Sequence, residues 1–300
     1  MRVFVTGASG FIGSAIVPEL IGAGHHVVGL ARSNASADAL AAAGAGAHRG
    51  DLNDLDSLRA GAAASDGVLH LAFIHDFSEF AAAARTDERA IETLGTALEG
   101  SGRPLVIANG FLAPSKGRPE TEQDMPDPDP SSPRIAGARA ALALATRGVR
   151  SSVVRLGRSV HGEGDTGFVG RLVEIARERG VSGYIGDGAN RWPAVHRLDA
   201  ARLFRLALES APAGSIHHGV ADEGVPVRDI AAVIGRHLDL PVVSIAPEDA
   251  DDHFGWLAPL LAADAWASST LTRDRIGWQP THPGLIDDLD QGHYFRNPSA

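Results

Sequence analysis

The chain has 300 residues, 44% apolar and 21% charged, an ordinary balance for a globular enzyme with chain enough for a large core. Its 27 basic and 37 acidic side chains leave a net charge of −10, which disfavours a nucleic-acid or anionic-membrane partner. There is no cysteine, which excludes disulfides, a thiolate nucleophile and sulfur-ligated metals. No secretory leader or membrane-length apolar run stands out, so a cytoplasmic protein acting on a small molecule is expected.

In chain order, a short apolar strand over Val3–Thr6 runs into Gly7, Gly10 and Gly13, and an apolar helix follows over Ser14–Ala23. Strand, glycine turn and helix together make a pyrophosphate site: glycines let the backbone turn tightly, and the helix start offers free N–H groups. Further strands are expected over His26–Ala31, Ala47–Gly50, Val68–Ala72, Leu105–Asn109 and Ser152–Leu156. Helical stretches over Ala35–Ala43, Leu55–Ala64, Ser78–Glu99 and Arg134–Arg147 lie between them. Such alternation implies a doubly wound parallel sheet of the α/β class with its ligand at the carboxyl ends of the strands. The Pro- and acid-rich stretch Ser115–Pro133 reads as a solvated surface loop. Beyond Leu156, glycine turns at Gly162–Gly167 and Gly183–Gly188 flank a helix over Phe168–Arg179, and a small mixed α/β region starts near Pro226.

For the cofactor, Gly7, Ser9, Gly10, Phe11, Ile12 and Gly13 are expected to cradle the diphosphate. The second strand ends in Arg32-Ser33, without the acidic residue that would grip an NAD ribose. A guanidinium with an adjacent hydroxyl suits a 2′-phosphate, so NADP(H) is expected over NAD(H). Asp51 and Leu52 follow the third strand, where they would meet adenine, although Asp51 also suits a helix N-cap. Leu71 and Ala72 would line the adenosine ribose and diphosphate. The pairs His25-His26 and His217-His218 lack metal-site spacing, and no metal is expected. Asp199 reads as a helix N-cap, and Trp256, Trp266 and Trp278 as core of the terminal region, Trp256 being a candidate for a pocket wall.

Thr6-Gly-Ala-Ser-Gly-Phe-Ile-Gly13, Gly50-Asp-Leu52, Val154-Arg-Leu-Gly-Arg-Ser-Val-His-Gly162, Gly186 to His196 with Asp199, and Gly277-Trp-Gln-Pro280 occur in a telling order. In these motifs the chain resembles the extended or atypical branch of the short-chain dehydrogenase/reductases, the epimerase/dehydratase-like proteins. The resemblance implies a Rossmann domain, 1–156 with about 194–222, and a small discontinuous substrate-binding cap, about 157–193 with 223–300. It places the active site between them and Leu156 beside the nicotinamide. It also implies a catalytic Tyr four residues before a Lys, which this chain lacks: its only tyrosines are Tyr184 and Tyr294 and its only lysine is Lys116. Arg134 stands in the tyrosine's place, Ala138 in the lysine's, and Asn109 or Gly110 at the hydroxyl position.

Asn109, Arg134 and Tyr184 are therefore the catalytic candidates, and His75, Phe111, His161 and Arg191 the substrate-binding ones. Arg191 resembles a family arginine that holds substrate phosphate, and Lys116 and water are further proton sources. The expected activity is NADP(H)-dependent reduction of a carbonyl or related C=X group on a small, fairly apolar substrate. The alternatives are a nucleotide-sugar-type epimerase/dehydratase and a non-catalytic NADP(H)-binding regulator. Apolar faces around Ala82–Glu99 and Ala136–Thr146 suit either a homodimer interface or intramolecular core.

Overall fold

The structure is a computed structural model and describes residues 1–75, 79–110, 117–125 and 133–296. Phe111, Lys116, Asp127 and Asp129 lie outside the described residues. Strands β1 (Arg2–Thr6), β2 (His26–Ala31), β3 (Gly46–Arg49), β4 (Gly67–His70), β5 (Pro104–Gly110) and β6 (Arg150–Leu156) alternate with helices. Those helices are α1 (Gly13–Gly22), α2 (Asn34–Ala42), α3 (Leu55–Ala63), α4 (Phe80–Leu98) and α5 (Arg134–Ala143), the last continued by a 3₁₀ turn over Leu144–Arg147. The chain then forms β7 (Ser159–His161), α6 (Phe168–Arg179), β8 (Ser182–Ile185), β9 (Arg191–His196), α7 (Arg197–Ser210) and β10 (Ser215–Gly219). It ends with β11 (Asp222–Pro226), α8 (Val227–Leu238), β12 (Val242–Ile245), α9 (Ala250–Phe254), α10 (Ala258–Ala262), α11 (Thr270–Ile276) and α12 (Leu285–Asp290).

Seven strands pair in the order β10-β6-β5-β4-β1-β2-β3, every pair parallel. Both faces of the sheet are covered, which is why its strands are almost uniformly apolar. On one face Val3, Val5 and Val154 pack with α1, with Leu40 of α2 and with Leu203, Phe204 and Leu208 of α7. On the other, Phe4, Val68 and Ile107 pack with Leu58 of α3, Ile91 and Leu94 of α4 and Ala138 and Ala141 of α5. The apolar faces of α4 and α5 are thus occupied within the chain.

A second body is built on two small sheets, β11-β9-β7 and β12-β8. Its own core joins Val169, Leu172 and Val173 of α6, Trp192, Ile230 and Ile234 of α8, Phe254, Leu261 and Leu285. The terminal tryptophans divide differently from expectation. Trp278 is fully buried in the core of the large sheet, against α7, while Trp256 is 48% exposed.

The described part of the acid-rich stretch, residues 117–125, also departs from the solvated loop expected. Glu122 is buried and its Oε1 accepts from both the N–H (2.7 Å) and the hydroxyl (2.6 Å) of Thr272 in α11. Buried Arg155 of β6 donates to Glu120 Oε1 (3.1 Å) and to the Asp124 carbonyl (2.6 Å). Arg118 grips the Asp124 carboxylate bidentately (2.7 and 2.5 Å), holding it well below the usual carboxylate range. Glu120 thus meets a buried arginine of the large sheet, and Glu122 meets backbone and hydroxyl donors in the first turn of α11.

Candidate functional site

The glycine turn closes by Gly10 N–H donating to Gly7 O (3.0 Å), and α1 begins at Gly13. Gly7 has φ +69°, and a Cβ there would sit 2.8 Å from the Ala72 nitrogen. A Cβ on Gly13 would lie 2.1 Å from the Gly7 carbonyl oxygen and 2.7 Å from the Ala8 backbone. Only glycine lets these backbones approach so closely, which leaves a cradle of N–H groups at the helix start. Ser9 and Gly10 are exposed, and Phe11 and Ile12 half-buried, at the rim of that cradle. Leu71 and Ala72 lie directly against Gly7, so the structure brings these expected cofactor residues together. The residues present fit a dinucleotide diphosphate.

At the carboxyl ends of β2 and β3, Arg32 is exposed and has no ion-pair partner among the described residues. Ser33 caps α2: its hydroxyl accepts from Ser36 N (3.1 Å), so it serves the helix first. Sequence reasoning missed Arg49, which ends β3 beside Ala31 and donates to Asn34 Oδ1 (2.7 Å). Asp51 is no N-cap; it makes an Asx turn with Asn53 N (2.9 Å), while Asp54 caps α3. Leu52 faces the core with Leu30 and Leu58, and Leu156 is buried beside Gly219, so both offer the cleft little surface.

Asn109 and Arg134 meet at the end of β5. Asn109 Nδ2 donates to the Arg134 carbonyl (3.2 Å), and Arg134 Nη2 donates to the Ala108 carbonyl (2.9 Å). The guanidinium lies 4.0 Å over the Phe73 ring and 3.8 Å from Asp87 Oδ2. Burial pulls its pKa down and Asp87 counters that, so it is a cation carried into the protein by a carboxylate and an aromatic face. Behind Asp87 stands a chain that sequence reasoning missed. Thr6 Oγ1 accepts from the N–H groups of Leu71 and Ala72 (both 3.2 Å), so its own proton points to His70 Nδ1 (2.8 Å). His70 Nε2–H is left to donate to Asp87 Oδ1 (3.0 Å). Its signal was in the sequence: Asp87 sits on the same helical face as Ala83, Ala84, Ala90, Ile91 and Leu94, a polar residue at a core position.

His75 stands edge-on to Phe73 at 5.4 Å, and surrounding protein and the charge of Arg134 push its pKa below the ordinary imidazole value. The other candidates are elsewhere. Tyr184 is half-buried in the cap, packed against Gly188 and the cap core, and makes no hydrogen bond with Asn109 or Arg134. His161 is fully buried rather than open to a cleft: Nδ1 meets Asp288 Oδ2 (2.9 Å) and the ring stands edge-on to His196 (5.4 Å). One edge of the Arg191 fork is filled by Asp264 (3.0 and 2.7 Å), and Trp266 covers its face at 4.2 Å. Asp199 is not the cap of α7, a place taken by His196. It is fully buried and accepts from Thr281 N, His282 N and His282 Nδ1, all at 2.9 Å. Among the described residues no cluster of three or more His, Asp or Glu is arranged to hold a metal, and no helix is long and apolar enough to cross a membrane.

The fold is that of an α/β protein with a Rossmann-like sheet, a glycine turn that fits a dinucleotide diphosphate, and a second, smaller body. The chain belongs to the NAD dependent epimerase/dehydratase family, whose pattern it matches over residues 3–218. It is an enzyme of that broad NAD(P)-dependent kind. It is 50% identical over 296 residues to an uncharacterized protein of Schizosaccharomyces pombe, covering 98% of this chain and all of that one. It is 28% identical over 241 residues to a 4-hydroxy-2-methyl-3-oxo-4-farnesyl-3,4-dihydroquinoline-1-oxide ketoreductase of Stigmatella aurantiaca, covering 76% and 70% of the two chains. Among solved structures it is similar to DesIV, a dTDP-glucose 4,6-dehydratase of Streptomyces venezuelae with NAD bound. That TM-score is 0.79 at 20% identity, over 99% of this chain and 98% of the other.

Proposed function

We propose that the protein is an NADP(H)-dependent oxidoreductase that reduces a carbonyl or related C=X group of a small, fairly apolar substrate. The observation that carries this reading is Arg134, a largely buried cation at the start of α5, beside the end of β5, where the family resemblance places a tyrosine, with no Tyr-xxx-Lys pair in the chain. A ketoreductase among the relatives supports the reduction. We place the dinucleotide in the body formed by 1–156 and about 194–222, and the substrate between it and the cap of about 157–193 and 223–300. Arg32 and Arg49, at neighbouring strand ends, would hold the 2′-phosphate, and Gly7 to Gly13 the diphosphate. When bound, the nicotinamide supplies the hydride.

Arg134 stabilises the oxygen as it gains negative charge. A guanidinium does not release protons at neutral pH, so the proton that completes the alcohol comes from water, relayed by the neutral imidazole of His75. Asn109 gives one of its two amide N–H groups to the Arg134 carbonyl and so positions the start of α5.

The test is NADPH oxidation across a panel of ketones, aldehydes and imines, repeated with Arg134→Ala. Turnover that falls about 10²–10³-fold in kcat/KM in the variant supports the reading, the size expected for loss of one preorganised oxyanion donor. Unchanged turnover in Arg134→Ala removes the arginine from the mechanism. Silence across the panel with tight NADPH binding points to the non-catalytic regulator instead.

A further inference from the structure

Arg197 is the first residue of α7, and it belongs to none of the interactions described so far. Its guanidinium lies 5.2 Å over the ring of Phe11, in the glycine turn, within cation–π range. Its stem runs across Gly162, where a Cβ would come within 3.2 Å of Cγ and 3.3 Å of Cδ. Gly162 has φ +138° and donates its N–H to the Tyr294 hydroxyl (3.2 Å), which in turn donates to Asp165 (2.9 Å). The passage is therefore kept open by a glycine that is itself pinned in place.

Arg197 is only half-buried, and no carboxylate pairs with it among the described residues. The contrast along α7 is informative: Arg205, two turns on, is matched by Glu19 of α1 (2.7 Å) and Glu209 (2.8 Å). A cation left unmatched beside a turn whose N–H groups and helix start already favour an anion concentrates positive potential at one point. The ring of Phe11 holds the guanidinium there without neutralising it.

We infer that Arg197 is a second clamp on the dinucleotide diphosphate, acting from the α7 side while the turn at Gly7–Gly13 acts from the α1 side. The inference rests on the family's dinucleotide site and is independent of whether NADP(H) or NAD(H) is preferred. A planar fork suits two phosphate oxygens at once, and a lysine would supply only a point charge.

The test is binding rather than turnover, with ADP-ribose as the probe because it carries the diphosphate common to both cofactors. Calorimetry on the full chain compares ADP-ribose with adenosine, which lacks the diphosphate, for the parent, Arg197→Ala, Arg197→Gln and Arg197→Lys. ADP-ribose is expected to weaken about 10- to 100-fold in Arg197→Ala and Arg197→Gln, the range for loss of one charge-assisted phosphate contact. Adenosine should stay within twofold, and Arg197→Lys should recover part of the loss. The salt dependence of ADP-ribose binding should also flatten in Arg197→Ala. Equal losses for ADP-ribose and adenosine would assign Arg197 a purely structural hold on Phe11, and no loss for either would dismiss the clamp. If the alanine variant fails to fold, the glutamine and lysine variants decide. Failure of the parent to bind ADP-ribose would instead overturn the dinucleotide reading itself.

Discussion

Asp199 offers a quantitative check on how the C-terminal segment is held. Its carboxylate is fully buried, and its two oxygens accept three N–H groups from Thr281 and His282. It also sits in the first turn of α7, where the helix dipole favours an anion. Removing it in Asp199→Ala leaves two backbone N–H groups and an imidazole facing a small void. Bonds to a charged acceptor contribute about 1.5–3 kcal/mol each, and the three are not additive, so a total loss of about 3–5 kcal/mol is expected. At roughly 2 cal/mol/K of unfolding entropy per residue, this becomes a drop of about 5–8 °C in the melting temperature. Asp199→Asn keeps one acceptor oxygen and should fall between the two. Trp278→Phe, which removes the neutral bond from Trp278 Nε1 to the Asp199 carbonyl (2.9 Å) and also leaves a cavity where part of a fully buried indole stood, should cost about 2–4 kcal/mol. Calorimetric melting of the four proteins is the measurement. An alanine variant melting within 1 °C of the parent would show that the buried carboxylate does not hold this segment.

Gly13→Ala should weaken NADPH binding by at least about 30-fold, because its Cβ would fall on the Gly7 carbonyl and force the turn apart; a Kd within threefold of the parent would contradict this. Arg32→Ala should erode discrimination between NADPH and NADH by about tenfold, read from fluorescence titration of both, and an unchanged ratio would dismiss its role on the 2′-phosphate. Burial holds His196 and His217 at about 4 and His218 at about 3, below an unfolded value near 6.5. The unfolded chain therefore binds more protons as pH falls, and stability should decline from about pH 6.5 downward, approaching three protons of difference near pH 5. Asp165, raised by burial, opposes this by one proton at most. Denaturant midpoints that stay level between pH 7 and 5 would refute the assignment.

Periodicity and composition made the scaffold legible. The His26–Ala31 strand and the Phe168–Arg179 helix have the bounds expected, and the other early elements shift by a few residues at most. Strands covered on both faces announce themselves by continuous apolar runs, and the glycine spacing reports a backbone requirement rather than a side-chain preference. What could not be read was pairing over distance. Thr6, His70, Asp87 and Arg134 form one buried chain, yet each lies on a different element, and only the strand order brings them together. Asp199 looked like a cap because it precedes an Ala/Leu-rich run, but β9 extends to His196 and shifts the helix start upstream. The acidic loop looked solvated because its partners, Arg155 and Thr272, are remote in sequence.

Trp278 gives the large sheet a condition on its timing. Its indole is part of the core that α7 and the sheet share, although it lies 56 residues beyond Asp222, where β11 begins. At about 5–20 residues per second of synthesis, those residues take roughly 3–11 s to emerge after the sheet's own strands are complete. Throughout that interval the surface of α7 that Trp278 covers is bare, and the buried Asp199 carboxylate waits for its N–H donors. The nucleotide-binding half is therefore finished by its most distant residues, and a nascent chain stalled between them would be the species most exposed to chaperones and proteases.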